Sequence, residues 1–212
     1  TIFNGLEPLL GTHGLEIVAK QEFDLGAKDF TSQLVAAARA QPEGVILLGY
    51  YTDIALLLKQ APEKGLRNTS FVVDPSSMND AIPVIAGRGA EGLRGAWLFP
   101  NYLTSDHPTM QEFRKKWIAA NGEPPVGRPN YIDLVGYGDA YVLALVLQAA
   151  GDDLTWGNLI RSWEGVTDAS PSKFGDFGTD VIFPESFSPE NHTGNLNFTV
   201  IEVKDGDWVA LQ

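Results

Sequence analysis

Hydroxyl, phenol and carboxylate side chains cluster directly after three segments that have the composition of buried β-strands. They are Tyr50 and Tyr51 after the first segment, Asp74, Ser76 and Ser77 after the second, and Tyr102 after the third. Tyrosine offers a rigid apolar wall with a polar tip, and an aspartate can neutralise a ligand ammonium group. Serine hydroxyls and free amides at a helix start suit a carboxylate. Together these side chains predict a binding site for a small zwitterion.

The position of these groups relative to the strands is what favours a shared site. Ligands of open parallel sheets bind beyond the carboxyl ends of the strands, so the three loops should face one edge. A purely structural role is the alternative for each residue. Either tyrosine could be a core or interface aromatic, Asp74 could cap a turn, and the two serines could cap the next helix.

One glycine pattern matches a dinucleotide-binding motif, but its context is wrong for that function. The sequence Gly87-Arg88-Gly89-Ala90-Glu91-Gly92 has the G-x-G-x-x-G spacing. In a dinucleotide fold this motif follows a strand and opens a helix, so that the pyrophosphate meets the helix N-terminus. Here it follows a helical segment and leads into a strand, which predicts a helix-to-strand turn and no nucleotide cofactor.

Other catalytic and metal-binding patterns are absent from the sequence. His13, His107 and His192 are far apart and have no partner at the spacing of a ligand pair, and the chain has no cysteine. No G-x-S-x-G motif occurs, and Ser76 and Ser77 have no assignable histidine and carboxylate partners. We therefore expect no metal site and no cofactor, while chemistry carried by carboxylates alone, such as the pairs Asp152-Asp153 and Asp205/Asp207, stays open at this point.

Composition excludes further classes of partner. With 15 Lys and Arg against 27 Asp and Glu, the net charge of -12 has the wrong sign for nucleic acid or an anionic membrane surface. The longest apolar run, within residues 141–150, is far shorter than the roughly 20 residues of a membrane span.

Short β-rich segments alternate with helical ones between residues 15 and 99, and Gly, Pro or capping residues mark the junctions. Strands are predicted at 15–23, 44–49, 71–73 and 93–99. Helices are predicted at 30–40 with Asp29 as N-cap, around 54–61 with Gly65 as C-cap, and at 78–86 before Gly87. This alternation predicts an α/β fold with parallel strands and right-handed crossovers.

The two ends of the chain differ from this central pattern. Residues 2–10 predict a helix without a preceding strand, so we expect the natural chain to begin earlier. After residue 102 the sequence predicts helices at 108–121, 131–150 and 155–163, and then a hairpin. The hairpin strands, 198–204 and 208–211, flank Asp205-Gly206, a pair that favours a type I′ turn.

Several segments, in this order, resemble the type I periplasmic binding protein family, especially its binders of branched-chain amino acids and related amides or aromatic acids. They are Leu48-Gly49-Tyr50-Tyr51-Thr52-Asp53 with Leu58-Lys59-Gln60-Ala61, then Ala90-Glu91-Gly92, Asn121-Gly122-Glu123-Pro124-Pro125, residues 187–194 and residues 203–209. The resemblance covers nearly the whole chain. It implies two Rossmann-like lobes with parallel sheets joined by a hinge, the first lobe being incomplete here.

The resemblance also implies a division of the chain and a set of ligand contacts. Residues 1–101 would form most of the second lobe, 102–193 part of the first, and 194–212 a hairpin returning to the second. Tyr50 or Tyr51 matches the family's cleft tyrosine, and Tyr102 would lie at the hinge. Asp74 lies one position before the acid of branched-chain binders, where this chain has Pro75.

The function that the resemblance implies is capture of a small ligand by lobe closure, without catalysis, for delivery to an ABC permease. The expected ligand is an amino acid or a related small acid or amide, and the expected location is the bacterial periplasm or cell surface, with the signal sequence outside this segment. A missing N-terminal segment of the same protein would supply the other ligand contacts. The alternatives are a ligand-sensing regulator or receptor of the same fold, and an enzyme with a Rossmann-like sheet.

Overall fold

The computed structural model describes residues 2–97, 108–122, 131–167, 186–194 and 198–211. The helices are α1 (Ile2–Thr12), α2 (Thr31–Arg39), α3 (Tyr51–Gln60), α4 (Ala81–Ala86), α5 (Pro108–Asn121), α6 (Tyr131–Ala150) and α7 (Trp156–Glu164). The strands are β1 (Gly44–Leu47), β2 (Ser70–Val73), β3 (Arg94–Trp97), β4 (Thr199–Lys204) and β5 (Asp207–Ala210). Short 3-10 turns span Ala61–Lys64, Pro75–Ser77 and Gly87–Ala90. The predicted α/β fold class is confirmed.

The strands form an open sheet in the order β1-β2-β3-β4-β5. Strands β1 and β2 run parallel, with Leu47 opposite Val73 at their carboxyl ends. Alternation along each strand buries Leu47, Phe71 and Val73 on one face and leaves Ile46 and Val72 exposed on the other. The loops after β1 and β2 therefore leave the sheet at the same edge.

Contacts divide the chain into two compact units. Unit 1 comprises Thr1–Arg94 and Glu202–Val209, and unit 2 comprises Gly95–Ile201 and Ala210–Gln212. The chain passes from one unit to the other within β3, β4 and β5. The assignment of lobes along the chain stays a prediction.

The core of unit 1 forms around α3, which packs against α4. Ile54, Leu57, Leu58 and Ala61 are all buried, which confirms the helix face expected from their spacing. The helix passes into the 3-10 turn and ends at Gly65, whose φ of 98° is the left-handed conformation of a glycine C-cap.

The expected strand at residues 15–23 is wrong. These residues form neither helix nor strand, and Leu15 and Val18 of this segment are exposed. A strand forms only where a neighbouring backbone accepts its hydrogen bonds, and in the described part of the chain no strand pairs with this segment. The alternating sequence of this segment is therefore not sufficient to form a strand.

Smaller corrections concern where helices and strands begin and end. Asp29 is not the N-cap of α2, because Phe30 takes that position, although the Asp29 carboxylate accepts the amide hydrogen of Thr31 at 2.8 Å. The helix expected at 78–86 begins only at Ala81, after a turn in which the chain is extended at Met78. Strand β3 is described over Arg94–Trp97, and residues 98–99 of the expected strand lie outside the described residues.

The glycine-rich segment 87–92 is a turn between α4 and β3, as predicted. Gly87 and Gly92 have φ values of 55° and 78°, in the region that favours glycine. Gly89 lies directly against the backbone of α3, where a methyl group would overlap the carbonyl oxygen of Leu58. The glycines thus serve a tight turn and a close approach to a helix, and the segment does not open a helix.

The C-terminal hairpin is held to this turn by Glu91. Its two carboxylate oxygens accept the amide hydrogens of Asp205 and Gly206 at 3.1 and 2.9 Å. Asp205 and Gly206 have φ values of 54° and 81°, which confirms the type I′ turn. Alongside, the Arg94 guanidinium donates to the Glu202 carboxylate at 2.6 Å.

Unit 2 has its own apolar core, built mainly by α5 and α6. The buried side chains are Met110, Phe113, Leu134, Tyr141, Val142, Leu145, Val146, Val166 and Phe187. Burial raises the pKa of Tyr141 above its usual value, because the charged phenolate would lose its hydration. None of the described helices, including the 20-residue α6, is long and apolar enough to cross a membrane.

Candidate functional site

The carboxyl edge of β1 and β2 brings two of the three predicted groups together. Tyr50 and Tyr51 follow β1, and Asp74, Ser76 and Ser77 follow β2. Because Leu47 and Val73 are paired neighbours, both loops start from adjacent points of the sheet. Tyr102, the third predicted group, lies outside the described residues.

The two tyrosines stand exposed at this edge. Tyr50 is the N-cap of α3, with an extended backbone, and its carbonyl oxygen accepts the amide hydrogens of Asp53 and Ile54, both at 3.0 Å. The side chains of Tyr50 and Tyr51 are 64% and 38% exposed. Neither is a core aromatic of unit 1, so their apolar rings remain open to a ligand or to an interface.

Asp74 caps the turn that follows β2. Its carboxylate accepts the amide hydrogen of Ser76 at 3.0 Å and also the Ser76 hydroxyl, while Ser77 contacts its second oxygen. This is the capping role that was one alternative for Asp74. A carboxylate has about four acceptor positions. Ser76 takes both positions on the first oxygen and Ser77 takes one on the second, so one position on the second oxygen remains for a further donor.

Ser77 connects the two loops. Its hydroxyl lies within hydrogen-bond distance of the Gly49 carbonyl oxygen and of the Asp74 carboxylate, and the side chain is only 3% exposed. A hydroxyl has one hydrogen, so it donates to one of these acceptors at a time. Ser77 therefore stabilises the shape of the edge, whereas Ser76 is the exposed serine.

A third segment borders the tyrosine loop, and the sequence did not indicate it. A methyl group at Gly49 would lie 3.0 Å from the ring of Phe23, which packs edge-to-face on Phe30 at 5.3 Å between centroids. The buried carboxylate of Asp53 accepts the amide hydrogen of Gly26 at 3.1 Å. Asp53 thus holds the 23–30 segment to the first turn of α3.

The side-chain amide of Gln60 fixes the other end of this segment. Its oxygen accepts the amide hydrogen of Phe30 and its nitrogen donates to the Lys28 carbonyl oxygen, both at 3.0 Å. Asp53 and Gln60 are seven residues apart and therefore lie on one face of α3. This spacing is the only signal in the sequence that both side chains hold the 23–30 segment.

The chemistry available at this edge is recognition of small polar molecules. It combines exposed aromatic rings, a carboxylate and a hydroxyl, and no group of three or more metal-ligating side chains occurs among the described residues. The structure therefore offers no described metal site beside these loops.

A family model described as periplasmic binding protein matches residues 4–207 of the chain. A leucine-, isoleucine-, valine-, threonine- and alanine-binding protein of Pseudomonas aeruginosa is 26% identical over 139 residues. That match spans 66% of this chain and 35% of the Pseudomonas protein. The chain thus spans about a third of the length of this relative.

Two solved structures show the same fold. One is a branched-chain amino acid ABC transporter protein of Thermus thermophilus with bound valine, with a TM-score of 0.78 and 22% identity over 97% of this chain and 54% of that one. The other is a solute-binding protein of Rhodopseudomonas palustris in complex with benzoate, with a TM-score of 0.74 and 20% identity over 98% and 53%. The chain therefore spans about half of each of these structures.

Proposed function

Because the chain belongs to the periplasmic binding protein family, we propose that it is part of the extracytoplasmic solute-binding component of an ABC importer. Its ligand is an amino acid or a related small acid or amide. The observation that carries this proposal is the exposed pair Tyr50 and Tyr51 beside the Asp74 loop, at the carboxyl edge where parallel sheets bind ligands.

Binding in this proposal is capture without chemical conversion. A ligand that contacts both lobes stabilises the closed state by its higher affinity for that state. An importer permease then distinguishes the closed protein from the open one. The tyrosine rings supply apolar area that is removed from water on closure, which favours the closed state.

The class of ligand depends on Asp74 in this proposal. The two structural relatives were solved with valine and with benzoate, which both have a carboxylate, although only valine has an ammonium group. Asp74 has one remaining acceptor position and could receive an ammonium hydrogen there. An amino acid should therefore depend on Asp74, and an aromatic acid should not.

The experiment is a thermal-shift screen of the full-length natural protein with amino acids, amides, aromatic acids and nucleotides. Ligand at about 100 times its dissociation constant adds roughly 2.7 kcal/mol to the stability, which is readily detected. A response to one amino-acid or small-acid class supports the proposal. A response to nucleotides, with no response to amino acids, amides or aromatic acids, contradicts the proposal. Binding of a small ligand without permease-dependent uptake indicates a sensor in place of an importer component.

Variants locate the binding site. Tyr51→Ala should weaken the ligand by about 1 to 3 kcal/mol, as for a buried aromatic anchor, and Tyr51→Phe separates the ring from the hydroxyl. Val84→Ala, at an 83% exposed position of α4, is the control and should leave affinity unchanged. Unchanged affinity in both Tyr50→Ala and Tyr51→Ala would remove the tyrosine loop from the site.

A further inference from the structure

Ser77 has one hydroxyl hydrogen and two acceptors for it. The hydroxyl lies within hydrogen-bond distance of the Gly49 carbonyl oxygen and of the second carboxylate oxygen of Asp74. The Ser77 amide donates to the Asp74 carbonyl oxygen at 3.1 Å, so the turn holds the backbone in place and the hydroxyl hydrogen changes acceptor by rotation alone. Because the Ser77 side chain is buried, water has little access to replace either bond.

The two acceptors belong to different loops and differ in strength. Gly49 directly precedes Tyr50 and Tyr51, whereas Asp74 is half-buried and has one acceptor position left for a ligand. A charged carboxylate is a stronger acceptor than a carbonyl group. Without a ligand, the hydroxyl hydrogen therefore favours Asp74, and its bond to Gly49 is the weaker of the two.

A ligand ammonium group would change this balance. When it donates to the second oxygen of Asp74, it neutralises the charge of the carboxylate and takes the remaining acceptor position. The carboxylate then attracts the Ser77 hydrogen less, and the hydrogen turns to Gly49. We propose that Ser77 in this way transmits the presence of a ligand ammonium group from Asp74 to the tyrosine loop, residues 49–51, which becomes more ordered.

This role of Ser77 rests on the proposed function and deepens it. It adds a way for the site to respond differently to amino acids and to acids that lack an amino group. Gly49, Asp74 and Ser77 all belong to unit 1, so the exchange of acceptors needs no group outside this unit except the ligand. Ser77 acts here as a positioning residue, because it changes the order of the loop without contacting the ligand.

The first test is a double-mutant cycle without ligand in the full-length natural protein. Asp74→Asn keeps one acceptor oxygen and places a donating amide group near the Ser77 hydroxyl, as an ammonium group would. Hydrogen exchange is measured at the amides of Asp53 and Ile54, whose bonds to the Tyr50 carbonyl oxygen break when the tyrosine loop opens.

The expected result is that Asp74→Asn slows exchange at both amides about fivefold, because the Ser77 hydrogen then stays on Gly49. Ser77→Ala should accelerate exchange, and adding Asp74→Asn to Ser77→Ala should change nothing further. Ser76→Ala is the matched control, since its hydroxyl contacts the first oxygen of Asp74 and the effect of Asp74→Asn should persist in it. An effect of Asp74→Asn that is the same with and without the Ser77 hydroxyl overturns the proposal, as does faster exchange in Asp74→Asn.

The second test compares two ligands on the parent protein. Valine and 3-methylbutanoate differ only in the amino group; if the thermal-shift screen selects another amino acid, that amino acid and its deaminated acid replace this pair. At saturation, valine should slow exchange at Asp53 and Ile54 about fivefold more than 3-methylbutanoate does, and this difference should vanish in Ser77→Ala.

The outcomes separate this proposal from the proposed function. Equal slowing by both ligands overturns the role of Ser77, and so does a screen in which only acids without an amino group bind. A protein that binds no amino acid, amide or small acid contradicts the proposed function instead, and the cycle without ligand then decides whether Ser77 connects Asp74 to the tyrosine loop.

Discussion

The Ser77 hydroxyl lies against the carbonyl oxygen of Gly49, and this contact joins the loops after β1 and β2 at the edge of the sheet. Gly49 is also bounded by the ring of Phe23. The turn that presents Tyr50 and Tyr51 is thus fixed from two sides by residues that are not themselves at the exposed edge. A rigid turn of this kind lowers the conformational cost of ordering side chains on a ligand.

Ser77→Ala should lower the free energy of unfolding by about 1 to 3 kcal/mol, because it removes the hydrogen bond of a buried hydroxyl and leaves the half-buried Gly49 carbonyl oxygen without this donor. Ser76→Ala is the control, and its effect should stay within about 0.5 kcal/mol because Ser76 is exposed. Urea denaturation of both variants measures the difference. Equal losses would mean that the Ser77 contact does not stabilise the edge.

Gly89→Ala should destabilise the protein by about 1 to 3 kcal/mol, because the new methyl group overlaps the Leu58 carbonyl oxygen and backbone must move. Gly136→Ala, at an exposed position of α6 with no atom near its added methyl group, should instead stabilise by about 0.5 to 1 kcal/mol. Denaturation midpoints of the two variants should therefore shift in opposite directions. A stable Gly89→Ala variant would contradict the close approach.

Glu91→Gln should loosen the turn of the C-terminal hairpin. Glutamine keeps one acceptor oxygen but places an amide group where the second amide hydrogen was accepted. Loss of about 1 kcal/mol at this exposed turn corresponds to roughly fivefold faster hydrogen exchange at Asp205 or Gly206. Glu63→Gln, at an exposed acid elsewhere in unit 1, is the control and should leave both exchange rates unchanged. If Glu91→Gln also leaves both rates as in the parent protein, Glu91 does not stabilise the hairpin turn.

Two aspartates should make stability depend on acid pH. Hydrogen bonds from the side chain and then the amide of Thr31 lower the pKa of Asp29, and those from the amide and then the side chain of Thr155 lower the pKa of Asp153. A lowered folded pKa adds stability that is present above the ordinary carboxyl value of 3.8 and is lost as pH falls through the lowered pKa.

The doubly substituted variant, Asp29→Asn with Asp153→Asn, should therefore lose stability less steeply than the parent protein as the pH falls below about 4. Denaturation midpoints measured between neutral pH and pH 2 give the two slopes. Asp152→Asn, at the neighbouring turn position, is the control and should follow the parent. Parallel curves for the parent and the doubly substituted variant would show that the hydrogen bonds accepted by Asp29 and Asp153 do not contribute to acid sensitivity.

Local patterns predicted much of this fold from sequence. The type I′ turn at Asp205-Gly206, the glycine C-cap at Gly65 and the buried face of α3 depend only on residues a few positions apart. The tyrosine and serine loops were located because parallel strands end at one edge. Such features are encoded by backbone preference and by periodicity, which a sequence shows directly.

The features that escaped prediction depend on contacts between distant residues. Residues 15–23 have strand composition but lack a described strand to pair with, and no property of their own sequence indicates this. Ser77 reaches Gly49 across 28 positions and Asp53 reaches Gly26 across 27, each through a side chain that could equally face water. Only the folded chain determines which polar side chains are buried.

The bond between Glu91 and the hairpin turn has a consequence for how the protein is made. Asp205 and Gly206 are 114 and 115 residues further along the chain. A ribosome has therefore synthesised nearly all of unit 2 before Glu91 can bind these two amides. Domains that are continuous in sequence can fold as they emerge, but unit 1 must wait for its last eight residues, Glu202–Val209. The last step in the folding of unit 1 therefore follows the synthesis of most of unit 2, and until then a nascent chain exposes the surface that the hairpin will cover.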